Sequence, residues 1–196
     1  MTLAFNGYAI VSADGFIADN RGRMPKALCF DADWAHFRTA LKQADLMILG
    51  RHTHELSPNR TNRPRLVASR GVRAVIQENA VTWWANPKEV TPASAVAAVA
   101  GSHAKVMVAG GTGVYSWILG EATYHTFYLS VARKVTLGIG RPLLDETSDL
   151  TSIFDAFSAN GLAIQERSWL DKEQDVELLM LCQADAPSFS SSHAML

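Results

Sequence analysis

The chain has 196 residues, of which 48% are hydrophobic and 19% charged, and its formal net charge is −1. This composition is typical of a globular domain and excludes disordered and fibrous classes, and so nearly neutral a chain lacks the cationic excess of nucleic-acid-binding surfaces. The two cysteines, Cys29 and Cys182, indicate neither a disulfide framework nor a cysteine-rich zinc site.

The beginning of the chain lacks the basic region and long apolar core of a secretory signal. No apolar run reaches the roughly 18–20 residues that cross a bilayer. We therefore expect a cytoplasmic protein that binds neither nucleic acid nor membrane.

Apolar strand patterns and helical patterns alternate along most of the chain. In chain order, strands are predicted within 3–18, 45–50, 65–69, 80–85, 105–111 and 123–132, helices within 31–44, 91–101 and 112–120, and two final strands within 161–170 and 176–184. Asp31 or Asp33 is expected to cap the first helix. The segment 91–101 has a Thr cap, an early Pro and a closing Gly, which are the usual boundaries of a helix.

This alternation predicts an α/β fold, a three-layer α/β/α sandwich with a mainly parallel sheet. The last two runs predict an antiparallel C-terminal strand pair. One domain is expected over residues 1–183, followed by a mobile tail over 184–196. The run 176–184 is interpreted as an edge strand that a partner subunit would cover.

Adjacent glycines stand between a strand and a helix in "VMVAGGTGVYSWIL", residues 106–119. Amide groups at a helix N-terminus attract phosphate, and glycines let a ligand approach the backbone. Gly110, Gly111, Thr112 and Gly113 are therefore candidates to hold a diphosphate, to which Thr112 would add its hydroxyl, and the alternative is a tight turn that binds nothing. The spacing matches neither the phosphate loop of nucleotide hydrolases nor the dinucleotide fingerprint.

Two more predicted strands end in groups that suit a phosphorylated ligand. The first continues into Gly50, Arg51, His52 and Thr53, and the second ends at 69–70, with Ser69 and Arg70. Ligands of open α/β sheets bind beyond the carboxyl ends of the strands. One extended, multiply phosphorylated ligand would account for all three junctions.

Four ordered motifs, "VSADGFIA", "ILGRHTHE", "VMVAGGTGVY" and "YLSVARKVTLGIGRPLLD", together resemble the dihydrofolate reductase-like superfamily. The similarity extends over residues 3–183 and is greatest to the branch of the riboflavin-biosynthesis reductase domain. The resemblance implies NADPH as hydride donor, and related domains form homodimers. It also implies a non-proline cis peptide at Gly110–Gly111, a turn in which both residues would lack a side chain so that it can touch the cofactor.

The resemblance assigns cofactor roles residue by residue. It places Arg51 near the adenosine phosphate, Thr53 near the diphosphate, and Tyr115 near the nicotinamide. The backbones of Ile10 and Ile17 would meet the carboxamide. The full expected set is Ile10, Ile17, Gly50, Arg51, His52, Thr53, Ser69, Arg70, Gly110, Gly111, Thr112, Gly113, Val114 and Tyr115.

The substrate side rests on fewer residues. Asp33 matches the pocket carboxylate of dihydrofolate reductases and Ser130 a neighbouring hydroxyl, so both are candidate catalytic residues, although a helix cap also explains Asp33. Asp14 suits a turn beside the cofactor loop.

The sequence departs from both named branches. Lys26 follows Pro25 where a dihydrofolate reductase has Trp, and the deaminase motif of the bifunctional riboflavin enzyme is missing. The leading prediction is an NADPH-dependent reductase of a small heterocyclic or carbonyl substrate. The alternatives are dihydrofolate reduction and a non-catalytic NADPH-binding module.

Two further groups of polar residues suggest sites less strongly. His52, His54 and Glu55 do not share one helix face, so no metal site is predicted. Arg133, Lys134 and Arg141 could meet a substrate phosphate, and a solvated basic edge is the alternative.

Overall fold

The structure is a computed structural model that describes residues 3–184, so most of the predicted tail, 185–196, lies outside the described residues. Its strands are β1 (Ala4–Ser12), β2 (Phe16–Ala18), β3 (Leu46–Gly50), β4 (Arg65–Ala68), β5 (Ile76–Asn79), β6 (Thr82–Ala85), β7 (Lys105–Val108), β8 (Tyr124–Ala132), β9 (Arg141–Pro142), β10 (Leu162–Asp171) and β11 (Val176–Gln183). Its α-helices are α1 (Asp31–Gln43), α2 (Arg51–Leu56), α3 (Pro92–Ala100), α4 (Thr112–Glu121) and α5 (Leu150–Ala159), and a 3₁₀ helix spans Lys26–Leu28.

Nine strands form one sheet in the order β10-β11-β8-β1-β7-β3-β4-β6-β5. The six strands from β8 to β6 are parallel, β11 and β10 add an antiparallel pair at one end, and β5 pairs antiparallel with β6 at the other. The predicted α/β class, the mainly parallel sheet and the antiparallel C-terminal pair are confirmed. The carboxyl ends of the parallel strands therefore lie along one edge, where the sequence places its candidate groups.

The sheet separates a large hydrophobic core from two smaller ones. Residues of α3, α4 and α5 share the large core with one face of β1, β7, β8 and β11. Helix α1 lies on the opposite face, and none of its side chains is fully buried. The layer under α1 is therefore less tightly sealed than the layer under α4.

Helix boundaries follow local hydrogen bonding where the sequence offers a cap. The Thr91 side chain accepts from the Ser94 amide, Pro92 begins α3, and Gly101 closes it at φ 79°, as predicted. The capping prediction for α1 is wrong, because the cap residue is Phe30 and makes no side-chain cap bond. Asp31 and Asp33 lie instead within the first turn, where a negative charge interacts favourably with the helix dipole.

Several elements differ from the sequence prediction. The run 176–184 is not an edge strand, because β11 lies between β10 and β8. Helix α5, whose first turn is held by a reciprocal Asp149–Ser152 capping box, was not predicted, and neither were β5 or the two-stranded β2–β9 sheet. Within residues 3–184, no helix is both long and apolar enough to cross a membrane.

A pair of glycine substitutions tests the packing between β1 and β8. A methyl group added at Gly7 would overlap the fully buried ring of Phe127. Because overpacking of a dense core displaces its neighbours, Gly7→Ala is expected to lower the free energy of unfolding by about 1–3 kcal/mol in a urea titration.

The matched control is Gly120→Ala in α4, where an added Cβ has no neighbour within 4 Å. There the same chemical change should be neutral or raise stability by up to about 1 kcal/mol through helix propensity. Equal effects of the two substitutions would contradict the packing described here.

Candidate functional site

The glycine turn connects β7 to α4 beside the end of β3. The Gly50 amide donates to the Gly110 carbonyl at 2.8 Å, and the Ala109 amide donates to the Ile48 carbonyl at 2.9 Å. The Gly110–Gly111 peptide is cis, as the resemblance implies. Two of the three strand junctions predicted from sequence are thus joined directly by hydrogen bonds.

The two glycines of the turn serve different purposes. Gly110 has φ 88°, and a Cβ there would lie 2.5 Å from the Tyr115 ring. Glycine at 110 is therefore required by packing within the protein, which corrects the expectation that both residues lack a side chain for contact with a ligand. At Gly111 and Gly113 an added Cβ would meet nothing within 4 Å, so these two positions border open space.

Tyr115 fixes the turn from beneath. Its ring is 3% exposed and its hydroxyl donates to the Tyr8 carbonyl at 2.5 Å. Burial, followed by the nearby charge of Asp33, holds the pKa of Tyr115 well above its usual value, so the phenol stays protonated. Tyr115 therefore connects α4, the glycine turn and β1 at one point.

Free backbone donors remain at the start of α4. The Val114 and Tyr115 amides bond to the Gly111 carbonyl, whereas the Thr112 and Gly113 amides have no acceptor within residues 3–184. The Thr112 hydroxyl donates to the Pro142 carbonyl at 2.6 Å. The expected donation from that hydroxyl to a diphosphate is therefore not available, and backbone amides are the donors that remain.

The ends of β3 and β4 lie side by side, because Gly50 and Ala68 are register partners. Arg51 and Arg70, which follow these ends, are both exposed. Arg51 lies 3.5 Å from Glu55, an exposed pair of little energetic weight. Both guanidinium groups are thus available at the same edge of the sheet.

The other members of this group differ in their surroundings. The Ser69 hydroxyl accepts from the Gly71 amide at 3.2 Å, and Thr53 is half-buried. The exposed His52 ring lies near the loop at Gly22, since a Cβ at that glycine would be 3.3 Å from it. Val114 packs beside Gly50.

Ile10 presents its backbone to the same opening. Alternate residues of a strand direct their backbone groups to the same edge, and Tyr8 directs its carbonyl away from β8 toward Tyr115. The pairing of β1 with β7 ends at Gly7, so the amide and carbonyl of Ile10 face the gap beyond β7. Its side chain is 7% exposed and packs with Leu28, Ala132 and Val176, while Ile17 on β2 is half-buried against the main core.

Asp33 lies on the inward side of α1 opposite β8. Burial raises the pKa of its carboxyl, while a hydrogen bond from Ser130 and the charge of His36 act in the opposite direction. Ser130 is 1% exposed and pairs in register with Ile10. The structure thus brings together the two candidate catalytic residues, and burial makes Asp33 hold its proton to a higher pH than an exposed aspartate does.

Sequence reasoning missed the aromatic cluster beside Asp33. The Tyr8 and Tyr128 rings stack at 4.8 Å, and the His36 ring lies 5.8 Å and 5.3 Å from them. Trp34 stacks on Phe37 at 5.2 Å. The helical spacing of 33, 36 and 37 could have placed these residues on one face, but it gave no sign of which strands they would meet.

Asp14 ties two loops together at the carboxyl end of β1. Its carboxylate accepts from the Ser12 hydroxyl at 2.5 Å and from the Leu137 and Gly138 amides at 3.1 Å and 2.7 Å. Burial would raise its pKa, but these hydrogen bonds outweigh burial and lower it. Asp14 thereby anchors the segment that continues to Pro142, the acceptor for Thr112.

The basic residues near this segment are largely engaged within the protein. Arg133 and Arg167 both pair with Glu177, which is 9% exposed, and Lys134 donates to the Glu173 carbonyl at 3.0 Å. Arg141 is exposed on β9. Arg133 and Lys134 are therefore committed to internal contacts, whereas Arg141 can still meet an anion.

The histidines at the start of α2 do not converge. The His54 ring meets Trp84 at 5.5 Å, while His52 faces the loop at Gly22. Across the described residues, no group of three or more His, Cys, Asp or Glu side chains could hold a metal ion.

Solved structures with the same architecture identify the fold. A protein described as a riboflavin biosynthesis protein from Shewanella sp. PV-4 superimposes with a TM-score of 0.62 at 18% identity, over 91% of this chain and 98% of that one. The diaminohydroxyphosphoribosylaminopyrimidine deaminase/5-amino-6-(5-phosphoribosylamino)uracil reductase of Thermotoga maritima gives 0.60 at 18% identity, over 93% of this chain and 57% of that one. Dihydrofolate reductase from Enterococcus faecalis, in complex with NADP(H) and RAB-propyl, gives a TM-score of 0.62 at 14% identity, over 93% of this chain and 97% of that one.

Sequence comparison adds nothing to this likeness, since neither a protein-family model nor a curated protein sequence matches the chain. The structural likenesses establish the dihydrofolate reductase-like fold. The chain spans little more than half of the Thermotoga bifunctional enzyme.

Substitution of Asp33 tests whether its ionised carboxylate destabilises the folded protein. A group whose folded pKa is raised contributes stability below its unfolded pKa and loses it as pH rises through the folded pKa. Asp33→Asn is therefore expected to be more stable than wild type at pH 7, and the difference should vanish near pH 3. Thermal unfolding across this pH range measures both.

Asp31→Asn is the matched control, because Asp31 lies in the same helical turn but is exposed. Loss of its favourable interaction with the helix dipole should cost about 0.3–1 kcal/mol at pH 7. A loss of stability at both positions would show that Asp33 is an ordinary first-turn carboxylate.

Proposed function

We propose that this chain, which has the dihydrofolate reductase-like fold, is an NADPH-dependent reductase. Its substrate would be a small heterocycle, pyrimidine- or pterin-like, or a carbonyl compound, and the activity would be related to that of 5-amino-6-(5-phosphoribosylamino)uracil reductase. One observation carries the proposal: open glycine positions with free amides lie at the same end of the sheet as the half-buried carboxyl group of Asp33. Tyr115 connects the two, since it packs against Gly110 and senses the charge of Asp33.

The residues present fit a dinucleotide phosphate. A Cβ at Gly111 or Gly113 would enter open space, and the Thr112 and Gly113 amides are free to donate to a diphosphate at the N-terminus of α4. Arg51 and Arg70 at the neighbouring strand ends would hold a 2′-phosphate by charge-assisted hydrogen bonds. The backbone of Ile10, which lies beyond the pairing of β1 with β7, would meet the carboxamide.

NADPH would supply the hydride, and the protein would supply orientation and the proton. Burial raises the pKa of Asp33, so its carboxyl group holds a proton to a higher pH than an exposed aspartate and would donate that proton to a substrate nitrogen or oxygen. Ser130 beside it would orient either the carboxyl group or the substrate. Asp33 and Ser130 are thus the proposed catalytic residues.

Two alternatives use the same binding residues. True dihydrofolate reduction would be revealed by turnover of dihydrofolate and by sensitivity to antifolates. A non-catalytic module would bind NADPH and leave wild type and Asp33→Asn equally inactive on every reducible substrate. In a reductase, Asp33→Asn should instead lower kcat by about 10²–10⁴-fold, the usual contribution of a positioned general acid.

We also propose that two copies of the chain form a homodimer. A groove of about 290 Å³ lies on the α1 side of the sheet and is lined by Tyr128, Glu166, Ser168, Leu178 and Met180. Leu178 and Met180 are half-buried on a strand interior to the sheet, so this apolar area belongs to a face rather than to an edge. A second copy packed on that face would remove it from water.

Nucleotide titration tests the cofactor assignment. Quenching of the five tryptophans should report micromolar binding of NADPH, at least about tenfold tighter than NADH, which corresponds to 1.4 kcal/mol. Arg51→Ala and Arg70→Ala should lower the affinity for NADPH toward that for NADH, because only NADPH carries the 2′-phosphate. The affinity for NADH should not change. Gly113→Ala should lower the affinity for both nucleotides.

Two variants serve as controls. Arg38→Ala removes an exposed cation from α1, and Gly120→Ala adds a methyl group at the far end of α4. Neither should change the binding of either nucleotide. If wild type binds neither nucleotide, the glycine turn is only a turn and the reductase proposal is wrong.

Solution mass tests the dimer. Sedimentation equilibrium at micromolar concentration should give twice the chain mass of 21.4 kDa. Met180→Lys places a charge in the proposed apolar interface and should shift the mass to that of a monomer. The control Lys172→Ala, in the turn between β10 and β11, should stay dimeric, and a monomeric wild type would overturn the proposal.

A further inference from the structure

His36 is half-buried near Asp33, and one of its ring nitrogens has no hydrogen-bond partner within residues 3–184. It follows Asp33 by three residues, so the two side chains share a face of α1. Within residues 3–184, Nε2 of His36 is inaccessible to water and has no hydrogen-bond partner. Buried polar atoms are normally paired, so an unpaired ring nitrogen one turn from a half-buried carboxyl group requires an explanation.

The ring of His36 packs against two tyrosines that border an open cavity. It lies 5.8 Å from the Tyr8 ring and 5.3 Å from the Tyr128 ring. A cavity of about 270 Å³ reaches both tyrosines, and its other lining residues include Asn6, Ala40 and Gln43. These residues belong to the first half of β1 and the second half of α1, so this cavity opens away from the glycine turn.

The arrangement forms a continuous line through the layer under α1. Positions 33, 36, 40 and 43 follow one another on a single helix face. Asp33 stands at the end that faces Ser130 and Tyr115, and Ala40 and Gln43 stand at the cavity. His36 lies between them, and no other titratable side chain of α1 does so.

We propose that His36 is the group through which Asp33 regains a proton from the solvent-filled cavity under α1. This inference rests on the proposed reductase function. His36 acts through Asp33 and does not touch the substrate, so it is a positioning and proton-supplying residue rather than a catalytic one.

The proton balance of the cycle is simple. Asp33 gives its carboxyl proton to the substrate atom that becomes N–H or O–H and is left as a carboxylate. That negative charge favours protonation of His36, which takes a proton from water at Nδ1, because only Nε2 is sealed from water, and leaves hydroxide to the solvent. The imidazolium then transfers this proton to the Asp33 carboxylate, and both groups return to their neutral forms.

Burial explains why one proton is shared by the pair. It raises the pKa of Asp33 and lowers that of His36, while each charge opposes the shift of the other. Burial therefore favours the neutral form of each group, whereas their mutual attraction favours the ion pair.

The titratable groups near His36 include two tyrosines, and Lys105 and His125 line the same cavity. The pKa values of Tyr8 and Tyr128, which face it from β1 and β8, are raised, chiefly by burial. Glu166 and Cys182 act on Tyr128 from the next strands. Arg38 and Lys42, on the same helix, are exposed.

Carbon-detected NMR of ¹³C-aspartate-labelled protein tests the pairing without any turnover. His36→Gln should raise the pKa of Asp33 by at least about half a unit, because a cationic partner is lost. Asp33→Asn should lower the pKa of His36 by the same amount, because coupling between two sites is reciprocal. If one variant fails to fold, the other still measures the same coupling.

His103→Gln is the control, since His103 is exposed in the turn before β7 and should change neither pKa. Shifts below about 0.2 unit in both measurements would overturn the pairing, since a charge within a few Å shifts a pKa by more than this.

Turnover tests the proton supply itself. On the substrate found by screening, His36→Ala should lower kcat by about tenfold above pH 7, with unchanged affinity for NADPH, and added imidazole should restore it. A pH profile and an imidazole response identical to those of wild type would overturn the proposal. Failure of NADPH to bind would remove the reductase function but would leave the NMR result intact, so the two failures are distinguishable.

Discussion

The hydrogen bond from the Tyr115 hydroxyl to the Tyr8 carbonyl holds the site together. This hydrogen bond is 2.5 Å long and joins α4 to β1. Tyr8 is the first residue of β1 beyond the segment that pairs with β7. The same ring fills the space that a side chain at Gly110 would need. The turn, the helix N-terminus and the unpaired backbone of β1 therefore take their positions from one buried phenol.

Asp33, unlike the hydrogen-bonded Tyr115 hydroxyl, lies where its charged form is disfavoured. Burial disfavours its charge, no backbone donor compensates, and Ser130 and His36 offset only part of the cost. Asp14, by contrast, is satisfied by a hydroxyl and two amides, which lower its pKa. Two aspartates at the same end of the sheet thus differ in their surroundings: hydrogen bonds lower the pKa of Asp14, and burial raises the pKa of Asp33.

Much of the fold could be predicted from the sequence, because nearby residues determine where many helices and strands begin and end. The Thr91 cap, Pro92 and Gly101 bound α3, and alternating apolar runs bound the central strands. The glycine turn was likewise visible from Gly110 and Gly111. Local pattern identified these features because their causes lie within a few residues.

The errors concern relations between distant segments. Pattern could not reveal that β11 inserts between β8 and β10, because strand order depends on long-range pairing. It assigned the Thr112 hydroxyl to a ligand, whereas that group donates to Pro142, thirty residues later. It also passed over His36, whose significance depends on Tyr8 and Tyr128 from two other strands.

Tyr128 contacts several of the features that depend on distant segments of the chain. Its ring borders both open cavities of the α1 face, and it also packs against His36. A subunit that covered the groove at Leu178 and Met180 would cover part of Tyr128 and remove water from one side of the aromatic cluster. The charged forms of His36 and Asp33 would then be still less favourable, because their cost depends on the water that remains nearby. Assembly of the dimer and protonation of Asp33 would in that case be linked through a single tyrosine.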